Sequence, residues 1–290
     1  MKEQTAKKPA WLKQHICNDE TYQNVRNLVK GLRLHTVCES ANCPNIGECF
    51  GHKTATFLIL GGVCTRACRY CAVPKGKPEA LDPMEPKNLA EATAHLGLKH
   101  IVITSVTRDD LQYGGAEQFA ACIEEVRRIS PDTTIEILTP DFKGSLTAMN
   151  IVLNANPTVF NHNIETVRRL FPEIRPIGDY QQSLDVLRYA ATSHPHMLIK
   201  SGIMVGLGET LQDLKETFAD LRQAGVTILT IGQYLQPSPH HVPVAEYVTP
   251  EKFDGYRELA EDMGFPHVVS GPLVRSSYRA GITVSQCLAH

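Results

Sequence analysis

Six of the nine cysteines stand in two groups: Cys38, Cys43 and Cys49 spaced C-x4-C-x5-C, then Cys64, Cys68 and Cys71 spaced C-x3-C-x2-C. Three thiolates within eight residues leave one over in any internal disulfide set. Three converging sulfurs instead suit three irons of a [4Fe-4S] cubane and leave the fourth iron for another ligand. An open iron can receive a substrate or cofactor, which separates a chemically active cluster from an electron carrier. Structural zinc is the bland alternative. It usually takes four ligands from two pairs of matching spacing, and here only Cys68 and Cys71 have the C-x2-C spacing. Cys122 lies in an apolar run (AACI) and reads as a small buried residue. Cys17 and Cys287 have no assigned role.

The elements that must position these thiols are legible from periodicity. Residues 20–32 (ETYQNVRNLVKGL) place Val25, Leu28, Val29 and Leu32 at helical spacing, so a helix leads into the first group. The run 54–60 (TATFLIL) is strand-like and ends in Gly61-Gly62, just before the second group. Further strands are expected over 99–104, 133–138, 157–160, 196–205 and 226–231. Helices are expected over 87–96, 116–129 and 211–224. A helix over 250–263 and a short run over 267–270 close the chain.

Strict strand–helix alternation implies a parallel sheet. With no G-x-G-x-x-G after the first strand, a full or partial barrel is favoured over a dinucleotide-binding sheet. Such barrels do their chemistry on the loops that follow the strands, and polar residues collect there: residues 105–110 (SVTRDD), 161–165 (NHNIE), 206–209 (GLGE) and 233–237 (QYLQP).

The 290 residues, 42% of them apolar, can bury a full core as one large α/β domain with extensions. Lys and Arg number 29 against 31 Asp and Glu, a net charge of −2 without long blocks of one sign, so the overall balance carries no nucleic-acid footprint. No run approaches the roughly 18 apolar residues of a membrane span, and residues 1–8 lead into no signal-type segment. The first ten residues are expected to be a mobile tail. A cytoplasmic protein with reduced thiols is expected.

The segment CTRACRYC (64–71), with an aromatic before its third cysteine, resembles the signature of radical S-adenosylmethionine (SAM) enzymes. Together with CESANCPNIGEC (38–49), NHNIET (161–166), GIMVGLGE (202–209) and RSSY (275–278), it resembles the lipoyl synthase family from about residue 30 to about residue 282. The resemblance implies an α/β fold: a partial (βα)6 TIM-type barrel of the radical SAM kind over 54–235. An N-terminal cluster-binding extension (1–53) and a C-terminal extension (236–290) with the serine motif flank it.

It further implies two [4Fe-4S] clusters. Cys64, Cys68 and Cys71 would hold the one that binds and cleaves SAM. Cys38, Cys43, Cys49 and a serine oxygen would hold an auxiliary cluster consumed as sulfur donor. The serine is carried to Ser277, with Ser276 as its rival. For SAM the contacts are Tyr70, Thr104, Ser105, Glu165 and Lys200, with Glu165 and Lys200 expected on the barrel rim. The bland expectation for His162 is packing, and for Arg108, Asp109 and Asp110 it is capping the next helix.

The implied reaction inserts sulfur at C6 and C8 of a protein-bound octanoyl-lysine, using two SAM molecules per lipoyl group. The partners would be octanoylated lipoyl domains of 2-oxoacid dehydrogenase E2 subunits and the glycine-cleavage H protein, with ferredoxin or flavodoxin as electron donor. The alternatives are another sulfur-inserting radical enzyme, of the biotin synthase or methylthiotransferase kind, and a non-catalytic iron-sulfur scaffold.

Overall fold

A computed structural model describes residues 8–13 and 19–289. Residues 1–7 of the expected mobile tail and Cys17 lie outside the described residues. The tail expectation stops short of residue 10, because a 3-10 turn over Ala10–Leu12 buries Leu12 completely.

In chain order, α1 (Glu20–Gly31) leads through β1 (His35–Thr36), α2 (Val37–Ser40) and α3 (Ile46–Gly51) to β2 (Thr56–Ile59). The alternation follows: α4 (Glu85–Leu96), β3 (His100–Ser105), α5 (Ala116–Ile129), β4 (Thr134–Leu138), α6 (Leu146–Asn154), β5 (Val159–Asn161), α7 (Phe171–Ile174), α8 (Tyr180–Ser193), β6 (Leu198–Val205), α9 (Leu211–Gln223) and β7 (Ile228–Gln233). The chain ends with α10 (Pro250–Asp262), β8 (His267–Gly271) and α11 (Ala280–Leu288).

The sheet has eight strands in sequence order. β1 runs antiparallel to β2, and every pairing from β2 to β8 is parallel. Among the described residues nothing pairs β8 with β1, so the barrel is open. The six expected strands are β2 to β7, and each extension adds one more at an edge. The main apolar core runs from Val25 and Val29 of α1, through the barrel, to Phe253 of α10 and Phe265, and a smaller cluster gathers Ile174, Leu207, Tyr234 and Val242.

Local chemistry explains the helix boundaries. Asp19 accepts from the Tyr22 amide at 2.8 Å and starts α1, whose buried face is Val25 and Val29. Thr210 and Asp213 form a reciprocal capping box on α9, and Thr249 caps α10, with Pro250 in its first turn.

Alternation along the strands sorts the barrel interior into layers. His100, Glu136 and Lys200 share the lower layer, where the Lys200 ammonium meets the Glu136 carboxylate at 2.8 and 2.9 Å and His100 approaches it at 3.6 Å. Thr104, Leu138, Gly202 and Thr230 stand above them and line the cavity. Burial pushes the Glu136 carboxyl up, but the Lys200 charge, with the His100 ring beside it, outweighs burial and brings it down to about 2.

Candidate active site

The cavity inside the barrel mouth has a volume of about 510 Å3, within the roughly 300–1,000 Å3 of small-molecule sites. All six clustered cysteines line it, together with Ser276, Ser277, Tyr70, Thr104, Ser105 and Glu165. Two thiol groups separated in sequence by a strand therefore open onto one space.

The first group is delivered by two short helices. Thr36 accepts from the Glu39 amide and caps α2, which buries Cys38. Asn42, in the left-handed region at φ 50°, turns the chain to Cys43, and Cys49 rides on α3. The three thiols feel one another. Burial pushes Cys38 up to about 11 and Cys49 up to about 12, and the neighbouring thiols of the group add to each rise.

Across from this group lies the C-terminal segment. Asn45 donates to the Leu273 carbonyl at 2.7 Å. The Glu48 carboxylate accepts from the Tyr278 hydroxyl at 3.0 and 3.2 Å and from Arg279 at 2.8 Å. The Thr56 hydroxyl donates to Ser277 Oγ at 2.8 Å, and Thr56 draws the Cys38 thiol down against its burial. Ser276 points elsewhere and accepts from Asn163 Nδ2 at 3.3 Å. Gly232 makes the close approach of this segment feasible: a Cβ there would stand 2.1 Å from the Val274 carbonyl oxygen.

The second group occupies the loop after β2. Leu60, held at φ 69°, turns the chain, and the Glu85 carboxylate receives its amide at 3.0 and 3.1 Å. The amides of Arg66 and Thr107 donate to Cys64 Sγ at 3.4 and 3.3 Å. His241 Nε2 meets the Cys71 carbonyl at 3.0 Å, and the loop after β7 folds over the thiols. Burial raises Cys68 and takes Cys71 up to about 11, and the Cys64 thiol and Glu165 add to both rises. Among the described residues no three His, Cys, Asp or Glu side chains are gathered around a single point.

Between the two groups the wall is polar and incompletely partnered. Ser105 Oγ, Thr139 Oγ1, His162 Nε2 and Asn163 Oδ1 are buried without a hydrogen-bond partner, and all four residues line the cavity. Buried orphan donors and acceptors are rare, so this wall fits a polar guest of the SAM kind. His162 holds the Thr139 carbonyl through Nδ1 at 2.9 Å. Burial, reinforced by the Arg175 charge, lowers its ring to about 4 and keeps it neutral at pH 7. Burial raises the Glu165 carboxyl, opposed by Arg175, by Asn163 at 3.2 Å and by Tyr70.

Of the residues expected to meet SAM, Tyr70, Thr104, Ser105 and Glu165 reach this wall and Lys200 does not. Lys200 sits one interior layer below the cavity, and its ammonium is committed to Glu136. Arg108, Asp109 and Asp110 do not cap α5, whose N-cap is Gly115 with no side-chain bond. Arg108 instead forks onto Asp110, and Asp109 binds Arg66. The 206–209 motif folds its own loop, Glu209 accepting from the Leu207 amide at 2.9 Å.

Sequence reasoning missed Arg175, which is buried, lines the cavity and donates to the Asn163 carbonyl at 3.1 Å. It lies after a four-residue helix with no periodic signal. Lys8 and Arg275 also line the cavity.

The description "Radical SAM superfamily" matches residues 58–221, and that of the N-terminal domain of lipoyl synthase matches residues 1–43. The lipoyl synthase of Rubrobacter xylanophilus is 54% identical over 273 residues, covering 94% of this chain and 85% of the relative. That of Caldanaerobacter subterraneus subsp. tengcongensis is 52% identical over 281 residues, 97% of this chain and 98% of the relative. Among solved structures, methylornithine synthase shares the fold at a TM-score of 0.54 and 14% identity, covering 90% of this chain and 85% of its own. With such identity sustained over nearly its whole length, the chain belongs to the lipoyl synthase family of the radical SAM superfamily.

Proposed function

We propose a division of labour for the lipoyl synthase reaction on this chain. Cys64, Cys68 and Cys71 hold the [4Fe-4S] cluster that takes SAM, and Cys38, Cys43, Cys49 and Ser277 hold the auxiliary [4Fe-4S] cluster. When bound, SAM with its cluster supplies hydrogen abstraction from an unactivated carbon, and the auxiliary cluster supplies sulfide. The observation that carries this reading is the single cavity onto which both thiol groups and Ser277 open.

The remaining roles belong to side chains. Glu165, Asn163 and the unpartnered Nε2 of His162 offer acceptors, and Arg175 a buried cation, to the polar ends of SAM. Thr104, Ser105 and Tyr70 complete that wall. The loop that joins Val242 to the Arg69 carbonyl at 3.2 Å screens the thiols from water. Ser277, a hard oxygen ligand on iron in a sulfur cage, is the ligand suited to let go as sulfur departs. Thr56, which also draws the Cys38 thiol down, donates to Ser277 while Ser276 accepts from Asn163, and this supports Ser277 over Ser276.

By this reading residues 1–53 bring the auxiliary thiols, 54–235 the SAM site and 236–290 the serine. Sulfur enters at C6 and C8 of an octanoyl-lysine carried by E2 lipoyl domains or the glycine-cleavage H protein, with ferredoxin or flavodoxin as donor. No helix among the described residues is long and apolar enough to cross a membrane. Reduced thiols fit a cytoplasmic setting. Incubating reconstituted protein with SAM, a reductant and octanoylated H protein tests the reading. A mass gain of two sulfurs on the carrier supports it; 5′-deoxyadenosine without carrier sulfur overturns it.

A further inference from the structure

The motif 108–110 finds no use in the reaction above, yet Asp109 belongs to a buried network directly behind Cys64. Arg66, 6% exposed, forks onto Asp109 at 2.8 and 3.0 Å and onto Asp141 at 2.7 Å through both outer nitrogens. Those carboxylates stand on the loops after β3 and β4, so the guanidinium ties three loops together. Thr65 completes the tie. Its amide and hydroxyl donate to the Thr107 carbonyl at 3.0 and 2.9 Å, and its oxygen accepts from the Asp109 amide at 3.1 Å. The two amides that donate to Cys64 Sγ belong to Arg66 and Thr107, the residues this network immobilises. The Lys143 ammonium balances the Asp109 carboxylate from 3.9 Å. Two cations against two anions leave no net charge.

We propose that Arg66 is a positioning residue that raises the reduction potential of the cluster on Cys64 by holding two backbone N–H groups on its sulfur. One-electron reduction adds one negative charge to the iron-sulfur unit. An N–H dipole aimed at a ligand sulfur stabilises the more negative state, and outer-shell hydrogen bonds are a recognised control on cluster potential. Because the network is neutral, its effect runs through the amide dipoles rather than through a nearby charge. The inference rests on the assignment of Cys64, Cys68 and Cys71 to the SAM cluster.

The test uses the full-length reconstituted protein and two variants that preserve net charge. R66K cannot fork onto both carboxylates, and T65V removes the hydroxyl tie without touching a thiol or a charge. A redox titration follows the part of the electron paramagnetic resonance signal that SAM perturbs. Full iron content is expected, with a reduced-to-oxidised ratio at the wild-type midpoint that falls roughly tenfold, equivalent to a lowering of about 59 mV for a one-electron couple. Deuterium coupling from exchangeable amides near the cluster, after transfer to heavy water, falls in parallel. An unchanged or raised midpoint at full iron content overturns the inference. Iron loss in T65V also overturns it, because the tie would then hold the loop rather than tune the cluster. C64A serves as the separate control. If it keeps all its iron, the assignment of the cluster itself has failed.

Discussion

Thr56 bears on both Ser277 and Cys38: its hydroxyl donates to Ser277 Oγ at 2.8 Å, 221 residues away in sequence, and it opposes the rise that burial imposes on the Cys38 thiol. The neighbouring serine faces the opposite way, toward Asn163. Adjacent residues in a segment that approaches the barrel wall at Gly232 thus serve different sides of one cavity.

The serines are therefore expected to separate on mutation. S277A should lose carrier sulfur insertion while still forming 5′-deoxyadenosine from SAM, and S276A should retain most sulfur insertion. T56V, which removes only the supporting hydroxyl, should cost about 10- to 100-fold in auxiliary-cluster affinity or in activity. Carrier mass and 5′-deoxyadenosine are measured in the same reactions; equal behaviour of S276A and S277A would contradict the assignment.

Lys200 should matter for stability and not for SAM. K200M leaves the Glu136 carboxylate buried without its main partner, a loss of about 3 to 5 kcal/mol. The double variant K200M/E136M, which removes both charges, should recover most of it. Denaturant unfolding gives the stabilities, and calorimetry on the folded K200M/E136M protein should return a SAM affinity close to that of wild type.

His162 gives the apoprotein a dependence on acid. Its ring is lowered from 6.5 to about 4, so between those values the unfolded chain binds a proton that the folded chain refuses. Stability then falls as pH drops from about 6.5 to about 4, and this contribution flattens below that window. H162Q should remove that part of the slope. Unfolding midpoints across pH 4 to 7 measure it, and an unaltered slope would show that another group is responsible.

Glu48 should act on the first thiol group alone. E48A frees both Tyr278 and Arg279, and iron loss to a chelator should quicken for about four of the roughly eight irons that two cubanes contain. Uniform acceleration over all eight would indicate general loosening of the fold instead.

The parallel alternation was open to reading because β-branched runs and amphipathic helices carry their own periodicities, and α1, α5 and α9 show in their apolar spacing. The thiol groups were equally visible as spacings. What the sequence hid were pairings across distance. Nothing local to Lys200 announces Glu136, 64 residues earlier, and nothing in the 108–110 motif announces Arg66. Charged residues after strands look alike in sequence, whether they face a ligand or one another. Only the register, which sets Lys200 a layer beneath Gly202 and Thr230, separates the two cases. Arg175 was hidden for a different reason, since an irregular segment has no period to read.

The shortness of β2 has a consequence of its own. Its first residue, Thr56, touches Ser277 on the side of the first thiol group, and the turn just past its last residue, at Leu60, leads into the loop of the second. At about 3.3 Å per residue, a four-residue strand stapled to β3 along its whole length works as a rigid gauge block between them. Adding or deleting a pair of residues within 56–59 would keep every side chain on its proper face and yet slide the two workstations about 7 Å relative to each other. On the proposed assignment of the two thiol groups, the reach over which a saturated chain is modified is written into four residues.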